Sequence, residues 1–224
     1  MSPRAALLWD IDGTLLTTAR AGVYSLEDAL EQVSGVRMSL QEATTAGLTD
    51  YAIAQNALQA VGHPADEEAV REFLRVHGEQ LGAYLDRRDG HVMPGVREVL
   101  EDLDGRDDVV NLLLTGNVEA GAWAKLRHYG LEGFFPLGGA FCAGPGERVE
   151  IARRAARLVD DAELLYVIGD TPHDIAAAKS IGARAIGIAT GSYTAAELAR
   201  HEPWHALDRI PKPAEFRELL EVGG

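Results

Sequence analysis

Cysteine is nearly missing from this sequence. Cys142 is the single one among 224 residues, so no disulfide closes within the chain. That composition fits a reducing compartment. Positive charge is scarce as well. Lysine and arginine number 21 against 35 aspartates and glutamates, for a formal net charge of -14 and a pI near 4.9. Such a surface repels phosphate backbones and anionic membranes, so neither nucleic acid nor a membrane is expected as a partner. No apolar run approaches the ~20 residues of a membrane span. The opening "MSPRAALLWDIDG" is too short and too acidic for a secretory signal. The seven histidines show no metal-ligand spacing and read as surface or packing residues. These absences describe a soluble, cytoplasmic protein, monomer or homodimer.

What is present is core-forming sequence. The apolar fraction is 46%. "AALLWDI" reads as a buried strand. From about Thr17 to Asp89 no further strand appears. Three helical stretches stand there instead: "AGVYSLEDALEQV", "DYAIAQNALQAVG" and "DEEAVREFLRVHGEQLGAYL". In the third, Val70, Phe73, Leu74, His77, Leu81 and Tyr84 fall near one helical face. "DRRDGHVMPG" is a turn-rich joint. Beyond it strands and helices alternate: "VVNLLLTG", "ELLYVIGD" and "ARAIGIA" as strands, "NVEAGAWAKLRHYGL", "ERVEIARRAARLV", "DIAAAKSIG", "TAAELAR" and "PKPAEFRELLEV" among the helices. That alternation predicts a doubly wound parallel sheet. We expect an α/β domain of residues 1–16 and 90–224, with a small helical domain, 17–89, inserted after the first strand.

In such sheets ligands bind beyond the carboxyl ends of the strands. The informative residues are therefore Asp10 and Asp12 after the first strand; Thr115, Gly116 and Asn117 after the second; and Asp170 and Asp174 after the third. Four carboxylates aimed at one rim repel unless a cation intervenes. An all-oxygen donor set favours Mg²⁺. Beside such an ion, one aspartate can attack phosphorus and a second can move the proton. Thr115 and the Gly116 amide, expected at a helix N-terminus, suit the phosphoryl oxygens.

"DIDGT", "LLLTGN" and "VIGDTPHD", in that order, resemble three motifs of the haloacid dehalogenase-like hydrolase superfamily. "IATGSYTAAELA" is similar to the corresponding stretch in phosphoglycolate-phosphatase-like members with a helical cap. The resemblance implies Asp10 as nucleophile and Mg²⁺ ligand. It makes Asp12 the general acid and base, with its main-chain carbonyl on the metal. Thr115 and Gly116 would hold the phosphoryl group, with Asn117 beside them. Asp170 and Asp174 would complete the metal site. A Mg²⁺-dependent phosphatase of a small phosphorylated metabolite follows, with a phosphomutase or a non-catalytic phosphate-binding module as alternatives. The family's usual lysine before a later helix is missing from "FCAGPGERVEIARRAARL". Arg148 stands nearest that place, and Lys125 is its rival, reaching back along its own helix. We expect Arg148. "GLTD", Gly47 to Asp50, is either a helix start capped by Thr49 or a loop facing the substrate. Arg20 lies where the cap would hinge.

Overall fold

A computed structural model describes residues 3–40, 45–146 and 148–222. Residues 41–44, inside the predicted insert, and Glu147, where the helix "ERVEIARRAARLV" was expected to begin, lie outside the described residues. The strands are β1 (Ala5–Trp9), β2 (Leu16–Thr17), β3 (His91–Val92), β4 (Val109–Val118), β5 (Gly139–Cys142), β6 (Leu164–Gly169), β7 (Arg184–Ile188) and β8 (His205–Leu207). The helices are α1 (Ala21–Ser34), α2 (Asp50–Ala60), α3 (Glu67–Leu85), α4 (Val96–Leu103), α5 (Glu119–His128), α6 (Arg148–Arg157), α7 (Pro172–Ser180), α8 (Ala195–Ala199) and α9 (Pro213–Leu219). Among them no helix is long and apolar enough to cross a membrane.

Six strands form one sheet in the order β5-β4-β1-β6-β7-β8, every pair parallel. The expected α/β architecture is therefore present, with two edge strands, β5 and β8, that the sequence reading lacked. Both are three or four residues long, too short to carry a period of their own. β1 lies at the centre and is buried throughout. Ala6 and Leu8 face one apolar cluster and Ala5, Leu7 and Trp9 the other, the alternation that a strand covered on both faces requires. The chain order turns at β1, between β4 and β6, so the switch point of the sheet falls where Asp10 emerges.

Immediately after β1 the chain makes a tight turn. The amides of Leu15 and Leu16 both donate to the Ile11 carbonyl, and Gly13 donates to Leu16. β2 then pairs antiparallel with β3, Leu16 opposite Val92 and Thr17 opposite His91. β3 of this ribbon lies within the expected turn-rich joint "DRRDGHVMPG". The chain departs to α1–α3 and returns through these paired strands. The apolar face of α3, with Val70 and Phe73, joins Leu30 and Leu58 in a cluster that runs on to Leu8, Leu114 and Val167 of the sheet.

On the opposite face, the Trp9 indole N–H donates to the Asn111 side-chain oxygen at 2.9 Å. Phe216 of α9 stacks on the same indole, with centroids 5.7 Å apart and planes 22° from parallel. The last helix therefore braces the strand that carries Asp10. Phe216→Ala is expected to destabilise the fold by about 3–5 kcal/mol, the usual cost of emptying a buried phenylalanine site. Denaturant unfolding measures it, and a loss below about 1 kcal/mol would show that the brace is not needed.

Candidate active site

Strand ends deliver the acidic groups. Asp10 follows β1, and its amide is fixed by the Ile168 carbonyl of β6 at 2.9 Å. Asp170 follows β6. Asp174 is the third residue of α7, where it forms a capping box: the Thr171 amide and hydroxyl donate to Asp174 Oδ2 at 3.1 and 2.7 Å. Asp174 thus caps its helix with one oxygen and turns the other, Oδ1, inward. Asp10, Asp170 and Asp174 are all buried and each brings a carboxylate oxygen within 4.8 Å of the others. Gly13, in the left-handed region at φ +85°, permits this approach. A Cβ there would lie 2.5 Å from Asp170 Oδ2. The Thr14 hydroxyl donates to Asp170 Oδ1 at 3.3 Å, and the Thr190 hydroxyl to the Gly13 carbonyl at 2.6 Å.

The expectation of four carboxylates in one volume is corrected in one respect. The Asp12 side chain does not join the other three. It turns to the opposite side, where Lys125 Nζ donates to its Oδ2 at 2.5 Å and Asn117 Nδ2 to the same oxygen at 2.7 Å. Lys125 also donates to Asn117 Oδ1 at 2.5 Å, and Asn117 Nδ2 contacts Thr115 Oγ1 at 2.8 Å. A chain of contacts thereby links Asp12, Lys125, Asn117 and Thr115 at the end of β4 and along α5.

Arg148 and Lys125 both reach the carboxylates. Arg148, the first described residue of α6, is buried with its guanidinium against Asp10 and 2.9 Å from Asp174 Oδ1. Lys125 is equally buried on the Asp12 side, not a surface residue. Its position in the second turn of α5 brings the ammonium back over the strand end. Gly116 differs from expectation too. α5 begins at Glu119, and β4 runs through Val118, so Gly116 sits in extended strand and not at a helix N-terminus. The helix start is covered by a residue the sequence reading left without a role. Asp50 Oδ2, from α2, accepts the Val118 amide at 2.7 Å. The helix-start reading of "GLTD" is what the structure shows, and the same turn reaches the cavity. Thr49 Oγ1 caps α2 by accepting the Ala52 amide at 3.2 Å, and Gly47 and Leu48 line the cavity. The Leu48 carbonyl would lie 2.7 Å from a Cβ on Gly116, so only glycine admits this contact.

The cavity, about 320 Å³, opens onto Asp10, Asp12, Thr115, Gly116, Asn117 and Asp170 from the sheet side. From the insert side Arg20, Val23, Leu26, Ile53 and His77 line it. Electrostatics divide the acids. Burial pushes Asp10 up to about 7 against the pull of Arg148, with Asp174 and Asp12 adding to the rise. Burial likewise raises Asp170, to about 8, reinforced by Asp10 and Asp174. Asp50 is raised to about 6, mainly by burial. For Asp12 burial also acts upward, but Lys125, Asn117 and Arg148 together outweigh it and hold the carboxyl below its usual range. Its side chain keeps 44% of its surface accessible, all consistent with a group facing a cavity. The donor set at Asp10, Asp170 and Asp174 is oxygen alone, and the inward Asp174 Oδ1 has only the Arg148 guanidinium, 2.9 Å away, as its charged neighbour. Those features fit a hard divalent cation.

A family model for haloacid dehalogenase-like hydrolases matches residues 5–182, the stretch holding all these carboxylates and both cations. The chain belongs to this family. It is a hydrolase of the haloacid dehalogenase-like kind, and its relatives share most of its length. It is 32% identical over 210 residues to "Probable phosphatase IndB" of Dickeya dadantii, covering 90% of this chain and 88% of that one. It is 29% identical over 230 residues to a 5'-nucleotidase of Pseudomonas aeruginosa, covering 96% and 95%. A hydrolase from Pseudomonas syringae, solved by crystallography, shares the fold at a TM-score of 0.72 and 19% identity, covering 98% and 99%.

The raised carboxyls set a pH dependence. An unfolded aspartate loses its proton near 3.8, whereas Asp10 and Asp170 keep theirs to about 7 and 8 when folded without a cation. Between those limits the unfolded chain binds fewer protons, so stability falls as pH rises. A divalent cation displaces these protons and restores stability, more so at higher pH. EDTA-treated protein is therefore expected to melt lower at pH 8 than at pH 5.5, with Mg²⁺ narrowing the gap. Calorimetry at both pH values checks this; melting indifferent to pH and to Mg²⁺ would overturn it.

Proposed function

We propose that the protein is a Mg²⁺-dependent phosphatase that hydrolyses a small phosphomonoester through an aspartyl-phosphate on Asp10. One arrangement carries this reading: Asp10 and Asp12, two residues apart, face one cavity with different partners, Arg148 for the first and Lys125 with Asn117 for the second. The names of the phosphatase and nucleotidase relatives support it. Asp10, Asp170 and Asp174 would hold the ion, with the Asp12 main-chain carbonyl as the resemblance implies. When bound, the ion offsets the charge between a carboxylate nucleophile and a phosphoryl group.

In the first step an Asp10 oxygen forms a bond to phosphorus and the bond to the leaving alcohol breaks. Asp12, ionised beside Lys125, relays a proton to the departing oxygen from the protonated phosphoryl oxygen of the phosphomonoester monoanion. In the second step water attacks the same phosphorus, Asp12 takes a proton from it, and the bond to Asp10 breaks to release inorganic phosphate. Arg148 neutralises charge beside Asp10. Thr115 and the Gly116 amide hold phosphoryl oxygens, and Lys125 fixes the direction of the Asp12 carboxyl. Residues 17–89 act as a cap that shields the reacting groups from bulk water. We place the protein in the cytoplasm, on its composition. A phosphomutase would share the first step and return the phosphoryl group to a sugar; Thr14 favours hydrolysis, because the resemblance gives the mutases valine more often there.

Asp10→Asn is expected to remove turnover of an aryl phosphate while the circular-dichroism spectrum and melting stay near wild type, since an amide is a poor nucleophile. Turnover near the wild-type rate would refute the aspartyl-phosphate. Arg148→Ala and Lys125→Ala are each expected to lower kcat on the order of 10²-fold, the scale of losing one fixed charge-stabilising group. Steady-state kinetics checks this. An Arg148→Ala enzyme with unchanged kcat would remove that residue from the site's chemistry.

A further inference from the structure

His77 lies in α3, buried to 2% exposure, yet it lines the cavity opposite the reacting groups. Its tautomer follows from its partner. Ser25 has one hydroxyl hydrogen, which it donates to the His77 carbonyl at 3.0 Å. The 2.9 Å contact between Ser25 Oγ and His77 Nδ1 must then run the other way, with Nδ1–H donating. That leaves a lone pair on Nε2. Among the described residues this nitrogen has no hydrogen-bond partner and is not an enclosed unpaired atom, and His77 lines the cavity. Burial, and after it the Lys125 ammonium, push the imidazole down to about 3 against the opposing pull of Asp12, so the ring is neutral at working pH. The same cavity is lined by apolar Val23, Leu26 and Ile53, the Asp50 carboxylate and, on the insert side, Arg20. The Nε2 lone pair accepts a hydrogen bond and donates none.

We propose that His77 is a substrate-binding residue that selects the leaving group: its Nε2 accepts a hydrogen bond from a hydroxyl of the departing alcohol. The enzyme therefore takes phosphomonoesters of hydroxylated alcohols, polyols or sugars, in preference to esters whose far end is hydrocarbon or carboxylate. A carboxylate would meet the lone pair and Asp50 with repulsion; a hydrocarbon would leave Nε2 dry and unpaired. The inference rests on the phosphatase reading above.

The test compares kcat/KM for glycerol 1-phosphate, propyl phosphate and phosphoglycolate, with p-nitrophenyl phosphate as a general phosphatase probe. Wild type is expected to favour glycerol 1-phosphate over propyl phosphate by roughly tenfold or more, the cost of a polar group left unpaired, and over phosphoglycolate by at least as much. His77→Asn keeps a donor for Ser25 but stops short of Nε2, so the ratio should fall towards one. His77→Gln, whose amide reaches the Nε2 position, should retain part of the preference. If wild type hydrolyses p-nitrophenyl phosphate but the ratio is near one, or survives in His77→Asn, the selection is wrong and the phosphatase reading stands. A preference for phosphoglycolate also overturns it and points to Arg20 on the remaining wall. If no phosphomonoester is turned over, the phosphatase reading itself falls, and this inference with it. Should His77→Asn fail to fold, nitrogen-15 NMR of the Asp10→Asn protein decides. A bare Nε2 whose resonance moves with glycerol 1-phosphate and not with propyl phosphate is expected; a protonated Nε2, or one that does not respond, overturns the assignment.

Discussion

Excess negative charge in a buried place is the constraint around which the sheet and its neighbours are arranged. Asp10, Asp12, Asp50 and Asp170 line one cavity, Asp174 brings a carboxylate oxygen within 4.8 Å of Asp10 and Asp170, and the buried cations among the described residues there are Lys125 and Arg148. An isolated carboxylate in such a place would be too costly to keep ionised. The fold meets the cost by distribution. Asp10 and Asp174 face Arg148 from α6, Asp12 faces Lys125 from α5, and Asp50 is tied to a backbone amide. Each cation comes from a different helix, so the site exists only when both helices are packed on the sheet. Three buried carboxylates around one point still share a single arginine, and a divalent cation would offset the remaining charge.

Much of this was legible in the sequence because the strand ends carry their chemistry locally. "LLWDIDGT", "LLLTGN" and "YVIGDTPHD" each place polar residues directly after an apolar run, and a parallel sheet forces such ends to one rim. The central strands were legible for the same reason: burial on both faces leaves unbroken apolar runs. Edge strands β5 and β8 were not, since "GAFC" and "HAL" owe their pairing to the neighbouring strand and not to any pattern of their own. The two-residue ribbon of β2 and β3 joins segments over seventy residues apart in sequence, which no local signal announces.

Side chains whose placement depends on a neighbouring element are not legible locally. Lys125 was read from its distance along α5, but a helix returns its side chains towards its own N-terminus, and a long ammonium stem extends that reach. α3 packs against α5, where a Cβ on Gly121 would lie 3.6 Å from Leu81 Cδ2. Asp50 looked like a residue of a helix start, which it is; that its carboxylate serves another helix could only come from the tertiary fold. His77 followed the apolar stripe of α3 and is buried as that stripe implies. The stripe says nothing about which ring nitrogen is bound, and the Ser25 contact from α1 is what turns Nε2 to the cavity.

These dependences run in one direction through the molecule. Thr49 caps α2 and so fixes the first turn in which Asp50 stands. The glycine at 116 lets the Leu48 carbonyl approach the end of β4, which brings that turn against the sheet. Asp50 then receives the Val118 amide, the donor exposed where strand passes into helix α5, and it places negative charge where the helix dipole favours it. α5 in turn carries Lys125 to Asp12 and Asn117. The insert therefore does more than cover the cavity. Its "GLTD" turn touches the element that aims Lys125 at Asp12, and the same insert contributes His77 and Ser25 to the opposite wall. The wall that carries His77 and the residues that hold Asp12 are thus joined through α2, α3 and α5, so a change in the packing of the insert would reach both sides of the cavity.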